Sequence, residues 1–539
     1  LKKSLILHPF LLTIYAILAP IAHNIGNIGL SAIRILITGL IVIIILLNVV
    51  NLFVKQRDKT GFLITGVVLG FFSYGHLDTL LSQKLAASLF LDILLLFILG
   101  LIFVLWAYFV LYRLPNTVTL SNYLNIVGLV VVIFPIYNIL AFTRQTSELK
   151  DIASQYQQQA LPLSGLDSLK PIKNPENQPR PDIYYIILDG YTRSDVLKEL
   201  YNYDNTEFLS ELEKRGFYIA KSSRANYTDT VYSIASSLNM MHINTLPEFV
   251  HQMGGISREE ILKDILSVII QNNQVSTFLH EQGYSVVSFD TSYDRINITS
   301  SDYYEHSPNI GRVNPQAAFE LMFMDTTVGK IYFKLRGKGF TPIQSLFDDH
   351  REKVLYTFSN LAKYAQREGN YFIYAHVISP HSPYIFGPNG EVRRGVDPFT
   401  LLDQQVAESW SPSLYTDQVS YINKLVLVTI DQILENSNPK PIIILQADHS
   451  SRAYDEQEQN NELRMKLLLP ILNAYYLHDT ESSQLLYSSI TPVNSFRMIF
   501  NHYFGTNLEV LEDNSYIMES KNGQLEFVNA CETNQACSH

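Results

Sequence analysis

A small set of side chains has the types and surroundings to do chemistry together. The stretch Asn226-Tyr227-Thr228-Asp229-Thr230-Val231-Tyr232-Ser233 reads as a loop turning into a helix, with an apolar face at Ile234, Leu238 and Met241. A hydroxyl at such a turn lies at the positive end of the helix dipole, among unpaired N–H groups. Thr228 and Thr230 can therefore serve there as a nucleophile or an anion site, or simply cap the helix. Asp189 ends one apolar run, Asp448-His449 end another, and His376 and His381 bracket a Pro-rich loop. A threonine hydroxyl is a weak nucleophile until a metal or a base activates it. Carboxylate and imidazole suit a divalent ion. An ion held by Asp189, Asp448 and His449 that also bound the threonine oxygen would generate the alkoxide and polarise a phosphoryl or sulfuryl oxygen. His376 and His381 would bind the substrate anion, and His381 would also protonate the leaving group. Each residue has a plainer alternative: a turn for Asp189, and a buried hydrogen-bonded histidine or an exposed loop histidine for the other two.

The elements that must position these groups alternate between strand and helix. Pro181–Gly190, Tyr371–His376 and Pro441–Ser451 each read as a strand; the apolar runs in the first and third end in Asp-Gly and Asp-His, and the first suits a central strand buried on both faces. Phe217–Ala220 and Tyr284–Phe289 read as further strands, and Leu467–Leu472 with Ala474–Leu477 as one or two more before C-terminal helices. Helices are expected over 194–215, after Thr230, and over 256–282, 351–367 and 413–436. Residues 291–350 read as an insertion over the site. This alternation predicts an α/β sheet covered by helices on both faces. In a parallel sheet the strand ends carrying Asp189, His376 and Asp448 share one edge, where such folds keep their sites. Thr228, Asn226 and Asp290 are expected to be structural.

Before that domain come five apolar stretches, 4–22, 29–54, 61–81, 87–112 and 120–142, each about the 20 residues needed to span a bilayer. Lys2, Lys3, Lys55, Arg57, Lys59 and Arg113 fall on one side of this series, which places the N-terminus in the cytoplasm and everything after about 145 outside. Arg34, His76, Asp78 and Asp92 then share one depth near the outer interface. They form either a polar vestibule for a lipid head group or a set of snorkelling, mutually paired charges. The expected organisation is a multi-pass transmembrane domain over 1–145, a polar linker over 146–180 and a catalytic domain over 181–539.

The remaining totals narrow the function. A net charge of −11 argues against a nucleic-acid partner. There is no Gly-rich phosphate loop. Cys531 and Cys537 are the only cysteines, so a zinc-finger pattern is absent. They form a terminal disulfide in an oxidising compartment or remain two thiols on a tail. The first residue is Leu1 rather than Met, which points to a natural start further upstream.

Taken in order, Leu188-Asp189-Gly190, the Thr-x-Thr-x-Tyr-Ser turn from Thr228 to Ser233, the His381-Ser-Pro loop and Ala447-Asp448-His449 resemble the alkaline phosphatase superfamily. With the five spans, the sequence is similar to its sulfatase-like membrane branch, which includes phosphoethanolamine transferases and lipoteichoic acid synthase. The resemblance implies a five-helix transmembrane bundle joined to an extracytoplasmic α/β/α domain in the cell membrane. It implies Thr230 as the covalent nucleophile and Asp189, Thr230, Asp448 and His449 as ligands of one divalent ion, zinc first and manganese second. His381 falls on a substrate-side position. The implied activity is phosphotransfer or hydrolysis on phosphodiester-linked lipid head groups or envelope glycans. A phosphate or sulfate ester hydrolase and a non-catalytic envelope binding or scaffold protein are the alternatives. No Cys-x-Pro-x-Arg stands at the turn, so the formylglycine nucleophile of true sulfatases cannot form. The second histidine that relatives carry shortly after Asp-His is missing from Ser450–Glu462, which favours one tightly held metal.

Overall fold

The computed structural model describes residues 5–23, 30–82, 89–114, 117–163, 165, 180–254, 258–291, 293–308, 323–324, 326–331, 342–393, 411–451, 461–477, 485–521 and 524–530. Cys531 and Cys537 lie outside them. The chain forms two compact units, one of residues 1–147 with 311–346, the other of 148–310 with 347–539. Part of the segment expected to cover the site therefore belongs with the first unit. The linker expected over 146–180 is helical to Leu163.

The first unit contains the helices α1 (His8–His23), α2 (Leu30–Val54), α3 (Arg57–Ser82) and α4 (Leu89–Tyr108), the last ending in a π turn over Phe109–Arg113. Helix α5 (Thr117–Leu163) carries the chain onward. Among the described residues, four helices are long and apolar enough to cross a membrane: Ile33–Val54, Arg57–Leu81, Phe90–Arg113 and Thr117–Ala141. The first expected span is a shorter apolar helix, His8–Ala22. Two of the charges read at one depth are satisfied within this unit. Asp78 pairs with Lys330 at 3.0 Å, and Tyr74 donates to Asp92 at 3.3 Å. Lys330 arrives on the segment 326–331, which is tied to α3 by backbone bonds from Gly75 N to Thr326 O and from Val328 N to Phe71 O.

In the second unit a seven-stranded sheet has the order β2-β7-β6-β1-β5-β3-β4. Its strands are β1 (Ile183–Leu188), β2 (Tyr218–Ile219), β3 (Ser285–Phe289), β4 (Tyr303–Glu305), β5 (Tyr371–Val377), β6 (Ile442–Gln446) and β7 (Asn473–Tyr476). The three apolar runs occupy the centre: β1 pairs in parallel with β5 on one side and β6 on the other. Alternation along β1 explains why all its residues are apolar. Ile183, Tyr185 and Ile187 enter one core cluster, and Tyr184, Ile186 and Leu188 the opposite one. The register sets Ile187 beside both His376 and Gln446, so the strand ends at Asp189, His376 and Asp448 reach one edge together.

Some expected elements differ. The helix read over 194–215 is two, Ser194–Tyr201 and Thr206–Lys214, because Asn202 takes a left-handed conformation (φ 52) between them. The helix over 256–282 likewise divides into Glu259–Gln271 and Gln274–Glu281, the second capped by Asn273. The apolar run Leu467–Leu472 is not a strand. It is the end of the helix Asn461–Leu468 followed by two isolated bridges at Pro470 and Ile471. A short buried apolar run fits helix or strand equally, and Pro470 stops the helix. After the helix Pro492–Phe504 comes a hairpin, β8 (Tyr516–Lys521) with β9 (Gln524–Asn529), where helices were expected.

Candidate metal centre

Each group at the sheet edge is fixed by backbone. Asp189 follows β1; its N–H donates to Val377 O at 2.9 Å and its carbonyl accepts from His381 N at 2.9 Å. The β1 and His381 loops are thereby tied together. Gly190 has φ +70, a conformation that suits a residue without Cβ. That twist aims its N–H at Asp448 Oδ1, 3.1 Å away. The same oxygen accepts from His449 N at 2.9 Å. Asp448 is thus held by one oxygen, leaving Oδ2 directed elsewhere.

The histidines are oriented in the same way. His449 Nδ1 lies 2.7 Å from Ser450 O, and His381 Nδ1 lies 2.7 Å from Ser382 O. A carbonyl only accepts, so Nδ1 carries the proton in both rings and Nε2 keeps its lone pair. His376, from β5, is buried, with Nε2 3.1 Å from Asp189 Oδ2 and 3.9 Å from Asp448 Oδ2. His449 Nε2 is 3.5 Å from Asp189 Oδ1 and 3.5 Å from Asp448 Oδ2. Thr230, the first residue of its helix, places Oγ1 3.1 Å from His449 Nε2.

Two overlapping groups have ligand atoms within metal-binding reach of one another: Asp189 with His381 and His449, and Asp189 with His376 and Asp448. Asp189 Oδ1 and Asp448 Oδ2 are buried and accept no hydrogen bond. Buried carboxylate oxygens rarely go unsatisfied, so each needs a cation. A tetrahedral ion with ligand bonds of about 2.1 Å has ligand–ligand edges of about 3.4 Å, close to the 3.1–3.5 Å spacings around His449 Nε2. The residues present therefore fit a divalent ion, and carboxylate with imidazole is a donor set suited to zinc. Burial opposes ionisation of Asp189, but His381, His376 and His449 outweigh it and hold the carboxyl below the usual carboxylate range.

All six expected site residues, Asp189, Thr230, His376, His381, Asp448 and His449, meet at this edge. His376 lies beneath the carboxylates rather than on an open face, and His381 is the partly exposed member. At the turn, neither threonine is the cap. Asp229 takes that role, its Oδ1 accepting from Val231 N at 3.0 Å. Asn226 is structural: it bonds Val493 N, Thr491 Oγ1 and Asn514 O. Asp290 pairs with Lys353 at 3.0 Å and accepts from Tyr304. One contributor escaped the sequence reading. Lys263 is buried and reaches Asp229 at 2.9 Å, bracing the cap beside Thr230 from a separate helix. A single lysine in an amphipathic helix carries no signal of that contact.

No protein-family model matches the chain, and no curated protein matches it. Solved structures do. The C-terminal periplasmic domain of EcEptC from Escherichia coli, in complex with zinc, is similar at 12% identity and TM-score 0.40, covering 68% of this chain and 98% of that one. The integral membrane lipooligosaccharide phosphoethanolamine transferase A from Neisseria meningitidis gives 10% identity and TM-score 0.38, covering 91% and 92%. A protein in the alkaline phosphatase superfamily from Vibrio parahaemolyticus gives 13% and 0.37, covering 71% and 83%. The last of these carries in its name the superfamily that the sequence motifs resemble; likeness at this level shows neither family nor activity.

Proposed function

We propose that this chain is a membrane-anchored, metal-dependent phosphotransferase or phosphate-ester hydrolase with Thr230 as nucleophile. Its substrates would be phosphodiester-linked lipid head groups or envelope glycans on the extracytoplasmic side, the side given by the Lys/Arg bias. One observation carries the reading: Thr230 Oγ1 stands 3.1 Å from His449 Nε2, beside two buried carboxylate oxygens that accept no hydrogen bond.

Asp189, Asp448, His449 and Thr230 would hold the ion, with His381 beside them and His376 steadying Asp189. A divalent ion, zinc before manganese, would lower the pKa of the threonine hydroxyl and polarise a phosphoryl oxygen. The chain's own residues do the rest. Asp229 and the first turn of the helix fix Thr230, and the helix N-terminus favours the phosphoryl charge. The threonine oxygen bonds to phosphorus as the bond to the leaving oxygen breaks. The proton that the threonine hydroxyl gives up passes to the leaving oxygen by way of His381. A second acceptor, an alcohol for transfer or water for hydrolysis, then takes the phosphoryl group from Thr230.

The test uses the full chain in detergent. Metal content and turnover of an aryl phosphodiester are measured for the wild type and for Thr230→Ala. Bound metal with activity lost in the variant supports the proposal. A well-folded wild type that binds no metal and turns over nothing would leave the binding or scaffold reading in its place.

A further inference from the structure

At the turn between α2 and α3 the first unit has a cleft of about 230 Å³. It has two halves. Phe10 of α1 with Ile44 and Leu47 of α2 line an apolar half, and Asn51 of α2 with Arg57 and Thr60 of α3 line a polar one. No carboxylate lines the cleft among the described residues. Its volume is below that of a typical small-molecule site, roughly 300 Å³ or more. It suits one part of a ligand whose remainder lies outside.

We propose that this cleft binds the head group of an anionic glycerophospholipid, with the phosphate on Arg57 and the start of an acyl chain against Phe10, Ile44 and Leu47. Three observations point to that occupant, given that α2 and α3 span the bilayer. The first is depth. One apolar span ends at Val54 and the next begins at Arg57, so the polar half lies level with the head groups. Ile44 is about 10 Å along α2 from Asn51, inside the hydrocarbon. The second is availability. Arg57 is exposed and has no ion pair or side-chain hydrogen bond among the described residues. Its neighbour Asp58 accepts from Thr117 Oγ1 of α5 at 3.3 Å. The Thr60 hydroxyl donates to Gln56 O at 3.0 Å and lies 3.4 Å from Asn51 Oδ1. The Asn51 Nδ2 hydrogens thus remain for a further acceptor. The third is selection. A guanidinium and amide donors match a phosphate, whereas the ammonium of a zwitterionic head group would meet no carboxylate in this lining.

One wall of the cleft is held in place before any lipid arrives. Asn125 Oδ1 accepts from Leu7 N at 3.0 Å and His8 N at 2.8 Å, and its Nδ2 donates to Leu5 O at 2.6 Å. Those bonds fix the segment that brings Ile6 and Phe10 to the cleft. A bound head group would join the start of α1 to the α2–α3 turn. By the Lys/Arg bias this turn is on the cytoplasmic face.

The experiment is native mass spectrometry of the full chain. It is released from mixed micelles containing equal phosphatidylglycerol and phosphatidylcholine of identical acyl chains. One phosphatidylglycerol is expected to remain bound, with a preference of about fivefold, the effect of one basic residue on an anionic lipid. Arg57→Gln should bring the ratio to about one, and Arg57→Lys should keep most of the preference. Lys55→Gln, at an exposed residue outside the lining, should leave it largely intact. Equal retention of the two lipids by the wild type would overturn the proposal, with no variant needed. So would an unchanged preference in Arg57→Gln, or an equal loss in Lys55→Gln, which would mean diffuse surface charge rather than a site. Release of the lipid by glycerol phosphate would assign the cleft to a soluble phosphate instead.

Discussion

Replacing Asp448 by Asn separates what its carboxylate does for the fold from what it does for a metal. Oδ1 is the structural half: it accepts from Gly190 N at 3.1 Å and His449 N at 2.9 Å. An asparagine oxygen can accept both, so those bonds persist. Oδ2 is the other half, buried, accepting no hydrogen bond, 3.5 Å from His449 Nε2 and 3.9 Å from His376 Nε2. An amide nitrogen there is no metal ligand. The fold should therefore change by about 1 kcal/mol or less, the worth of one ordinary hydrogen bond. The metal response should change far more. At a free ion concentration a hundred times Kd, the wild type gains about 2.7 kcal/mol from binding. A variant weakened a hundredfold sits near its own Kd and gains only about 0.4 kcal/mol. The assay is chemical denaturation of the full chain, stripped with chelator and then titrated with zinc, following fluorescence. Equal zinc stabilisation of Asp448→Asn and wild type would refute the assignment of Oδ2 as a ligand. A collapse of the metal-free variant would refute the division of labour between the two oxygens.

Other expectations follow from the same geometry. Gly190→Ala forces a side chain into a backbone with φ +70, although its Cβ would meet His381 only at ordinary distances of 3.5–3.6 Å. Denaturation should show a loss of about 1–2 kcal/mol, and turnover should fall with it because Gly190 N positions Asp448. Lys263→Met leaves Asp229 without its buried partner 2.9 Å away. Asp229 is partly exposed and keeps Val231 N as a donor, so the expected cost is about 1–2 kcal/mol, with kcat falling more than KM rises, because the cap beside Thr230 is loosened. Burial raises the Asp182 carboxyl to about 6, against the hydrogen bond it accepts from Tyr371 N. A folded value above the unfolded one (about 3.9) means that stability from this group is complete below that pH and lost as pH rises through 6. Asp182→Asn keeps the acceptor and removes the charge. Its stability relative to wild type should rise between pH 4 and 7 by on the order of 1–3 kcal/mol, and a flat difference would contradict the burial argument.

The central sheet was legible because its three buried strands are apolar runs that each lead into a polar residue. A polar residue at the end of such a run has few places to be. Asp189, His376 and Asp448 follow from that alone, and parallel pairing brings them together. Contacts that depend on chains crossing far apart in sequence were not legible. His376 faces Asp189 rather than an open pocket because β1 and β5 are direct neighbours, a pairing the sequence does not specify. Thr228 and Asp229 both suit a cap by type, Asp the better, and the choice of Asp229 goes with the buried Lys263 that braces it. The segment 323–331 carries apolar and polar residues that suit a loop over a site as well as a helix surface. Its place against α3 rests on the pairing of Lys330 with Asp78 and on two backbone bonds. The apolar run at Leu467–Leu472 shows the limit of periodicity, since burial alone made it hydrophobic.

The most direct test of the nucleophile is to find the phosphoryl group on the protein. The full chain, loaded with zinc, is quenched in acid during turnover of an aryl phosphodiester, digested and mapped by mass spectrometry. Phosphate, or a phosphodiester carrying the substrate's alcohol, is expected on Thr230 and absent from Thr230→Ala. A modified peptide that maps to another residue, or full turnover by Thr230→Ala with no modification, would contradict the account.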